Sequence, residues 1–206
     1  MDTAMPRAFT EQEKERIRIR LMDAAREHLE RLGPRRTRVE DLTRAAGISK
    51  GAFYLFFGSR EELFFAVLEG FETSFREQMR ERAARVDAPP AESFREMLRF
   101  AVAAWRRHPL FRHFGTADFE ALLRGLPEER LREHLQGDEA AMAGLLEELR
   151  ARGVEVRGDA RLLTGLVRAL FFVALHEEEL GEDVYPETME VLTGLVAGYV
   201  AGEGAR

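Results

Sequence analysis

The chain has 206 residues, of which 45% are hydrophobic and 33% charged, and its formal net charge is −6. This length and composition exclude a disordered or fibrous chain and indicate a globular protein of one large domain or two small ones. No apolar stretch reaches the length of a membrane span and the start of the chain lacks a signal-peptide pattern, so we expect a cytoplasmic protein without a membrane partner. The absence of cysteine excludes disulfides, thiolate metal sites and a cysteine nucleophile.

Charge is distributed unevenly along the chain. Residues 7–60 carry more basic than acidic side chains, whereas the remainder carries an acidic excess. A protein with a negative net charge is not expected to coat nucleic acid indiscriminately, but its basic segment can still make a local contact with DNA. The pattern therefore predicts a basic N-terminal head and an acidic body.

Apolar residues recur at spacings of three and four through most of the chain, which predicts helices. The first helix spans 11–32, two short ones lie between 37 and 57, and a capping box of Ser59 and Glu62 begins a fourth that runs toward residue 85. The later helices are predicted at about 91–108, 110–124, 127–152, 160–180 and 186–201. We therefore expect an all-α fold of about nine helices, with a head at 1–58 and a body at 59–206.

The segment from Val39 to Tyr54 has the pattern of a helix-turn-helix. Gly47 can adopt the left-handed conformation that ends the first short helix, and Ile48 can place an apolar side chain in the corner. Ser49 can cap the second helix. This turn alone leaves two interpretations open, a DNA-binding unit and a plain interhelix corner.

The run from Gly47 to Leu63, GISKGAFYLFFGSREEL, resembles the signature of tetracycline-repressor (TetR) family regulators. The resemblance covers about residues 11–71. It implies a three-helix DNA-binding head followed by a helical body for ligand binding and dimerisation.

Carried over position by position, the resemblance assigns DNA contacts to eight residues. The contacts comprise base-facing positions, phosphate contacts, a helix cap and a contact to sugar or thymine methyl groups. The eight residues are Arg38, Ser49, Lys50, Gly51, Ala52, Tyr54, Leu55 and Arg60. Arg38 stands where the family usually has a capping Thr or Ser, so Thr37 with Glu40 is an alternative cap. Phe56 replaces a residue that often donates to DNA, and it cannot make that hydrogen bond.

The last two predicted helices are the expected dimer interface, because the first of them is apolar on more than one face. The apolar residues assigned to this interface are Leu162, Leu163, Leu166, Val167, Leu170, Phe171, Val173, Ala174, Met189, Leu192, Leu195, Val196 and Tyr199. The resemblance implies that the two helices pack with their mates as a four-helix bundle. The alternative is that they are ordinary core helices.

The resemblance also implies a small-molecule site among the middle helices, whose occupancy alters the spacing of two DNA heads. Its candidate lining residues are Phe100, Trp105, Phe111, Phe114, Phe119, Met142, Leu145, Phe172 and His176. An aromatic stripe at helical spacing is also typical of a core. If the site exists, we expect an apolar or aromatic ligand with one polar group.

No arrangement of residues indicates catalysis, a cofactor or a metal. His176 is followed by three glutamates but lacks the second histidine of a zinc-protease motif, and His108 and His113 are spaced wrongly for one helix face. The sequence therefore predicts a homodimeric, ligand-responsive repressor of a palindromic operator. An activator, and a helical small-molecule binding protein whose head is vestigial, stay open as alternatives.

Overall fold

The computed structural model of the chain describes residues 9–85, 90–111 and 116–203. These residues form ten α-helices: α1 (Glu11–Leu32), α2 (Val39–Ala46), α3 (Lys50–Phe53), α4 (Arg60–Ala83), α5 (Pro90–Arg107), α6 (Thr116–Arg124), α7 (Glu128–Ala151), α8 (Ala160–Leu175), α9 (Glu177–Leu180) and α10 (Tyr185–Val200). The predicted all-α class is confirmed. No helix in the described ranges combines the length and the apolarity that crossing a membrane would require.

Helix boundaries follow local capping chemistry. At the start of α1, Thr10 and Glu13 form a capping box, and Gly33 ends the helix with φ of 75°. At the start of α4, the Ser59 hydroxyl accepts the Glu62 N–H at 3.0 Å as predicted, but the Glu62 carboxylate accepts from the N–H of Gly58 rather than from that of Ser59.

Two predicted helices differ from the structure. The helix predicted to run through 160–180 ends at Leu175, because His176 leaves helical geometry with ψ of 34°. A new short helix, α9, follows, and three successive glutamates occupy its first turn, where negative charge is favoured by the helix dipole. The helix predicted from residue 110 begins at Thr116, and Pro109–Phe111 form a separate 3₁₀ turn.

The chain divides into two compact units. The first comprises the described residues of Met1–Gly70 and Arg112–Leu126, and the second those of Phe71–Phe111 and Pro127–Arg206. The first unit therefore contains α6 as well as the helix-turn-helix, whereas the sequence analysis assigned residues 1–58 to the head and the rest to the body. The 58/59 boundary stays a prediction of where the head's DNA-binding function ends.

The first unit is built on the apolar face of α1. Its buried hydrophobic residues on α1 to α3 are Ile17, Leu21, Ala24, Ala25, Leu29, Leu42, Ala46 and Phe53. Helix α6 is tied to this unit by an ion pair from Arg35 Nε to Asp118 Oδ1 at 2.7 Å. Gly125, just after α6, leaves room for Glu61, because a Cβ there would lie 2.6 Å from Glu61 Cγ.

In the second unit, α10 packs against α5 and α8, and α7 packs against α8. Its larger buried cluster consists of Ala83, Phe94, Met97, Leu146, Leu149, Leu163, Ala197 and Val200. A smaller cluster consists of Leu170, Tyr185 and Met189. Arg99 on α5 bonds Glu190 on α10 with Nε to Oε2 at 3.0 Å.

Candidate DNA-binding surface and effector cavity

The corner between α2 and α3 has the geometry that the sequence predicts. Gly47 adopts φ of 72° and ψ of 36°, its N–H donates to Arg44 O, and the Ile48 N–H donates to Thr43 O at 3.0 Å. These two hydrogen bonds end α2, and Gly47 at that end has the left-handed backbone conformation. A Cβ on Gly47 would meet only Arg20 Nη1 at 3.7 Å, so backbone conformation and not crowding requires the glycine.

Helix α3 presents its first residues to solvent. The Ser49 hydroxyl accepts the Ala52 N–H at 3.1 Å, which confirms Ser49 as the cap of α3. A Cβ on Gly51 would find only Ser49 Oγ within 4 Å, so the backbone can be approached closely there. Tyr54 is 53% exposed and Leu55 74% exposed, the highest value for a large apolar side chain among the described residues.

Lys50, the first residue of α3, forms an ion pair with Glu40 on α2. Its Nζ lies 2.7 Å from Glu40 Oε1, and both side chains are more than half exposed. The hydrogen bond to Lys50 lowers the pKa of Glu40, and the same bond raises the pKa of Lys50. Both groups are therefore charged at neutral pH, and the sequence analysis had not paired them.

Arg38 and Arg60 have different surroundings. Arg38 is exposed at the N-terminus of α2, where its side chain makes no capping bond. The alternative cap by Thr37 was wrong, because that hydroxyl is buried and donates to Gly33 O at 2.8 Å. Arg60 donates to Thr37 O at 3.1 Å and to Glu61 Oε1 at 2.8 Å. Its side chain therefore links the start of α4 to the segment that precedes α2. Phosphate contacts by Arg38 and Arg60 stay predictions.

Two cations on α1 that the sequence analysis did not single out flank this surface. Arg18 donates to Phe56 O at 3.4 Å, and its guanidinium lies 4.6 Å from the Phe57 ring centroid. Arg20 reaches the corner at Gly47. In the sequence, these two arginines are marked only by their spacing of two residues within the basic segment. The fold is needed to show that α1 lies beside the turn between α2 and α3.

A small apolar cavity lies between α5 and α8 in the second unit. Its volume is about 20 Å³, and it is lined by Phe75, Leu98, Ala101, Val102, Trp105, Val167, Leu170, Phe171 and Ala174. A space of this size holds about one water molecule. The side chains that line it are apolar apart from the indole N–H of Trp105. The Trp105 ring centroid lies 4.0 Å from that of Phe171 and 4.4 Å from that of Phe111.

The predicted effector residues are not all brought together. Trp105 lines the cavity and Phe111 packs on it, whereas Phe100 lies under the Arg82 guanidinium at 3.5 Å. Phe119 is buried in the first unit.

The remaining effector candidates lie elsewhere in the second unit or outside the described chain. Met142 and Leu145 pack on the larger buried cluster, and Phe172 is 44% exposed. His176 ends α8 with its Nδ1 2.6 Å from Phe172 O. Phe114 lies outside the described residues.

Four of the nine residues that line the cavity were predicted to lie in the dimer interface instead. Val167, Leu170, Phe171 and Ala174 recur at spacings of three and four on α8, and the sequence analysis assigned them to the dimer interface. In the structure they face α5 within the subunit. The exposed apolar side chains of α8 and α10 are a different set: Leu162, Phe172, Val191 and Leu195, at 44%, 44%, 54% and 66% exposure.

Glu72, His134 and Asp138 form a cluster between α4 and α7. His134 Nε2 lies 3.7 Å from a carboxylate oxygen of each acid. Arg76 bonds Asp138, and Arg168 Nη2 lies 3.4 Å from the same carboxylate. Two guanidinium groups thus balance two carboxylates, and we assign the cluster to the packing of α4, α7 and α8.

A helix-turn-helix with a solvent-facing second helix is an arrangement that many DNA-binding proteins use. The model of the bacterial regulatory proteins of the tetR family matches residues 21–67. This match covers 47 of the 206 residues, and over that segment the chain is similar to the family.

A curated relative, the HTH-type transcriptional repressor NicS of Pseudomonas putida, is 33% identical over 101 residues. That match covers 48% of this chain and 47% of the relative, so it spans about half the length of each protein.

Two solved structures share the fold. A TetR-family regulator from Pectobacterium atrosepticum has 24% identity and a TM-score of 0.65, covering 91% of this chain and 93% of its own. FadR of Thermus thermophilus, solved with lauroyl-CoA, has 21% identity and a TM-score of 0.58, covering 88% and 94%.

Proposed function

We propose that the protein is a transcriptional repressor that binds a palindromic DNA operator as a homodimer in the cytoplasm and is released by a small apolar or aromatic ligand. The observation that carries the proposal is the capped, exposed start of α3, where Lys50, Gly51 and Tyr54 meet solvent beside a basic surface. Residues in the first turn of a recognition helix are those that contact base edges in the major groove. The protein acts by binding and not by catalysis.

The exposed apolar stripe on α8 and α10 supports the proposed dimer. Leu162 and Phe172 share a face of α8 with Gly165 and Ala169, and all four are exposed. A single helix-turn-helix makes few contacts, whereas two related by a two-fold axis read two half-sites. In an isologous interface the stripe of each subunit is buried, so both stripes contribute hydrophobic free energy to association.

The aromatic cavity beside Trp105 is the proposed effector site. At about 20 Å³ it cannot hold a drug-sized molecule, so a ligand must move the rings that line it. A ligand that binds the widened form better than the closed form shifts the equilibrium toward it. If the widened form binds the operator less well, ligand and operator weaken each other by the same factor.

The proposal is tested by selecting randomised duplexes with the purified full-length protein at low and near-physiological salt. We expect an inverted repeat with fixed spacing. Arg38→Gln should reduce the salt slope by up to about one per subunit, because one phosphate contact is lost. Arg132→Gln, which removes an exposed cation from α7, is the matched control and should leave the slope unchanged.

Selection of no sequence, with weak binding that near-physiological salt abolishes, would overturn the proposal and favour a small-molecule binding protein with a vestigial head. Trp105 is the sole tryptophan of the chain, so its fluorescence reports on the cavity directly. A compound that shifts this emission and also releases the selected duplex would be an effector. Compounds that do only one of the two would count against coupling of the two sites.

A further inference from the structure

The ion pair between Lys50 and Glu40 joins the two helices of the helix-turn-helix on its solvent side. Lys50 Nζ and Glu40 Oε1 are 2.7 Å apart, and the side chains are 57% and 53% exposed. A hydrogen-bond donor and an acceptor therefore lie side by side at the start of the recognition helix, open to whatever binds there.

This pair is poorly suited to contacting phosphates. A lone lysine is attracted to any phosphate, which adds affinity without sequence information. The Glu40 carboxylate cancels that charge, and near DNA it is repelled by the same phosphates. A carboxylate at such a surface is favourable only where the DNA offers a donor, and the donors of the major groove are the amino groups of cytosine and adenine.

The major-groove edge of a G·C pair matches the ion pair in chemistry and spacing. Guanine presents the acceptors N7 and O6, and cytosine presents the N4 donor. Guanine O6 and cytosine N4 are hydrogen-bonded to each other within the base pair, so they lie about 2.9 Å apart. This distance is close to the 2.7 Å between Lys50 Nζ and Glu40 Oε1. The lysine can donate to guanine while the glutamate accepts from cytosine, and the ion pair stays intact.

Other base pairs fit less well. A T·A pair also places an acceptor, thymine O4, beside a donor, adenine N6. However, the thymine methyl group then lies on the lysine side, and adenine N7 turns an acceptor toward the carboxylate. A C·G pair reverses the order of donor and acceptor and opposes both charged groups with groups of the wrong kind.

We propose that Lys50 and Glu40 act as one unit that reads a G·C pair in each operator half-site, with Lys50 on guanine and Glu40 on cytosine. The inference rests on the proposed function, since it presupposes sequence-specific binding. It adds Glu40, a residue of α2, to the specificity determinants of the head.

The test repeats the duplex selection with four variants of the full-length protein: Glu40→Gln, Lys50→Met, the double variant and Asp41→Asn. Asp41→Asn is the matched control, because it also removes one negative charge from α2. Asp41 pairs with Arg44 at 3.2 Å and not with Lys50. We expect one half-site position to require G·C in the wild type and in Asp41→Asn. At that position both single variants should lose about tenfold in discrimination or more, and the double variant should lose no more than the greater single loss.

The outcomes separate the two proposals. If the wild type selects an inverted repeat and Glu40→Gln keeps every base preference, the reading unit is refuted while the proposed function stands. Equal losses in Asp41→Asn and Glu40→Gln would assign the effect to net charge and refute it as well. If the wild type selects no sequence, both proposals fail together.

Discussion

Leu195 offers a direct measure of the dimer interface. Its side chain is 66% exposed on α10, the largest exposure in the stripe on α8 and α10. Full burial of a leucine contributes about 1.5–3 kcal/mol, so burial of the remaining two-thirds contributes about 1–2 kcal/mol per subunit. In an isologous interface the residue is buried twice, which gives about 2–4 kcal/mol per dimer.

Leu195→Ala keeps the Cβ atom, so we expect the lower end of that range. About 2 kcal/mol corresponds to an increase of about 30-fold in the dimer dissociation constant. Sedimentation velocity over a dilution series measures this constant. At protein concentrations far below the dissociation constant, where both proteins are monomers, the thermal midpoints should be nearly equal, because the side chain makes few contacts within its own subunit.

Ile19→Ala is the control, since Ile19 is 50% exposed on α1 of the first unit and is not part of the stripe. It removes a similar exposed aliphatic group and should leave the dissociation constant unchanged. The reasoning is refuted if Leu195→Ala dimerises as tightly as the wild type, or if the two variants weaken the dimer equally.

Three further predictions concern stability. Gly47→Ala should cost about 1 kcal/mol, because alanine is strained at φ of 72°; a thermal midpoint equal to that of the wild type would contradict this. Phe171→Ala should cost about 3–5 kcal/mol in denaturant unfolding followed by Trp105 fluorescence, and a cost below about 1 kcal/mol would show that the cavity wall collapses. Arg99 lowers the pKa of Glu190 below its usual 4.5, so their bond stabilises the fold above that pH and loses its effect as the pH falls through the lowered value. The difference in thermal midpoint between Glu190→Gln and the wild type should therefore shrink between pH 7 and pH 3, and a constant difference would argue against the pair.

The sequence was sufficient to predict what depends on neighbouring residues. The Gly47 turn, the Ser49 cap and the limits of α1 each follow from the conformational preference or hydrogen bonding of a residue within a few positions. The same local signals specified the helical class, because apolar spacing alone distinguishes helix from strand.

Contacts between distant residues could not be predicted in the same way. Lys50 and Glu40 are ten residues apart and meet only because two helices cross. On α8 the apolar residues cover more than one face, and periodicity does not say which face meets α5 and which stays exposed. Phe171 and Phe172 are adjacent, yet one lines the cavity and the other is 44% exposed.

The placement of α6 has a consequence for hybrid proteins in which the DNA-binding heads of two regulators are exchanged. The chain leaves the first unit after Gly70, returns for Arg112–Leu126 and leaves it again, so this unit is not one continuous stretch of sequence. A fragment ending at residue 70 would lack Asp118, the partner of Arg35, and would also lack the buried side chains of Phe119 and Leu122. A hybrid joined at that point would set one protein's α6 against another protein's head. A hybrid should therefore exchange both segments of the first unit together.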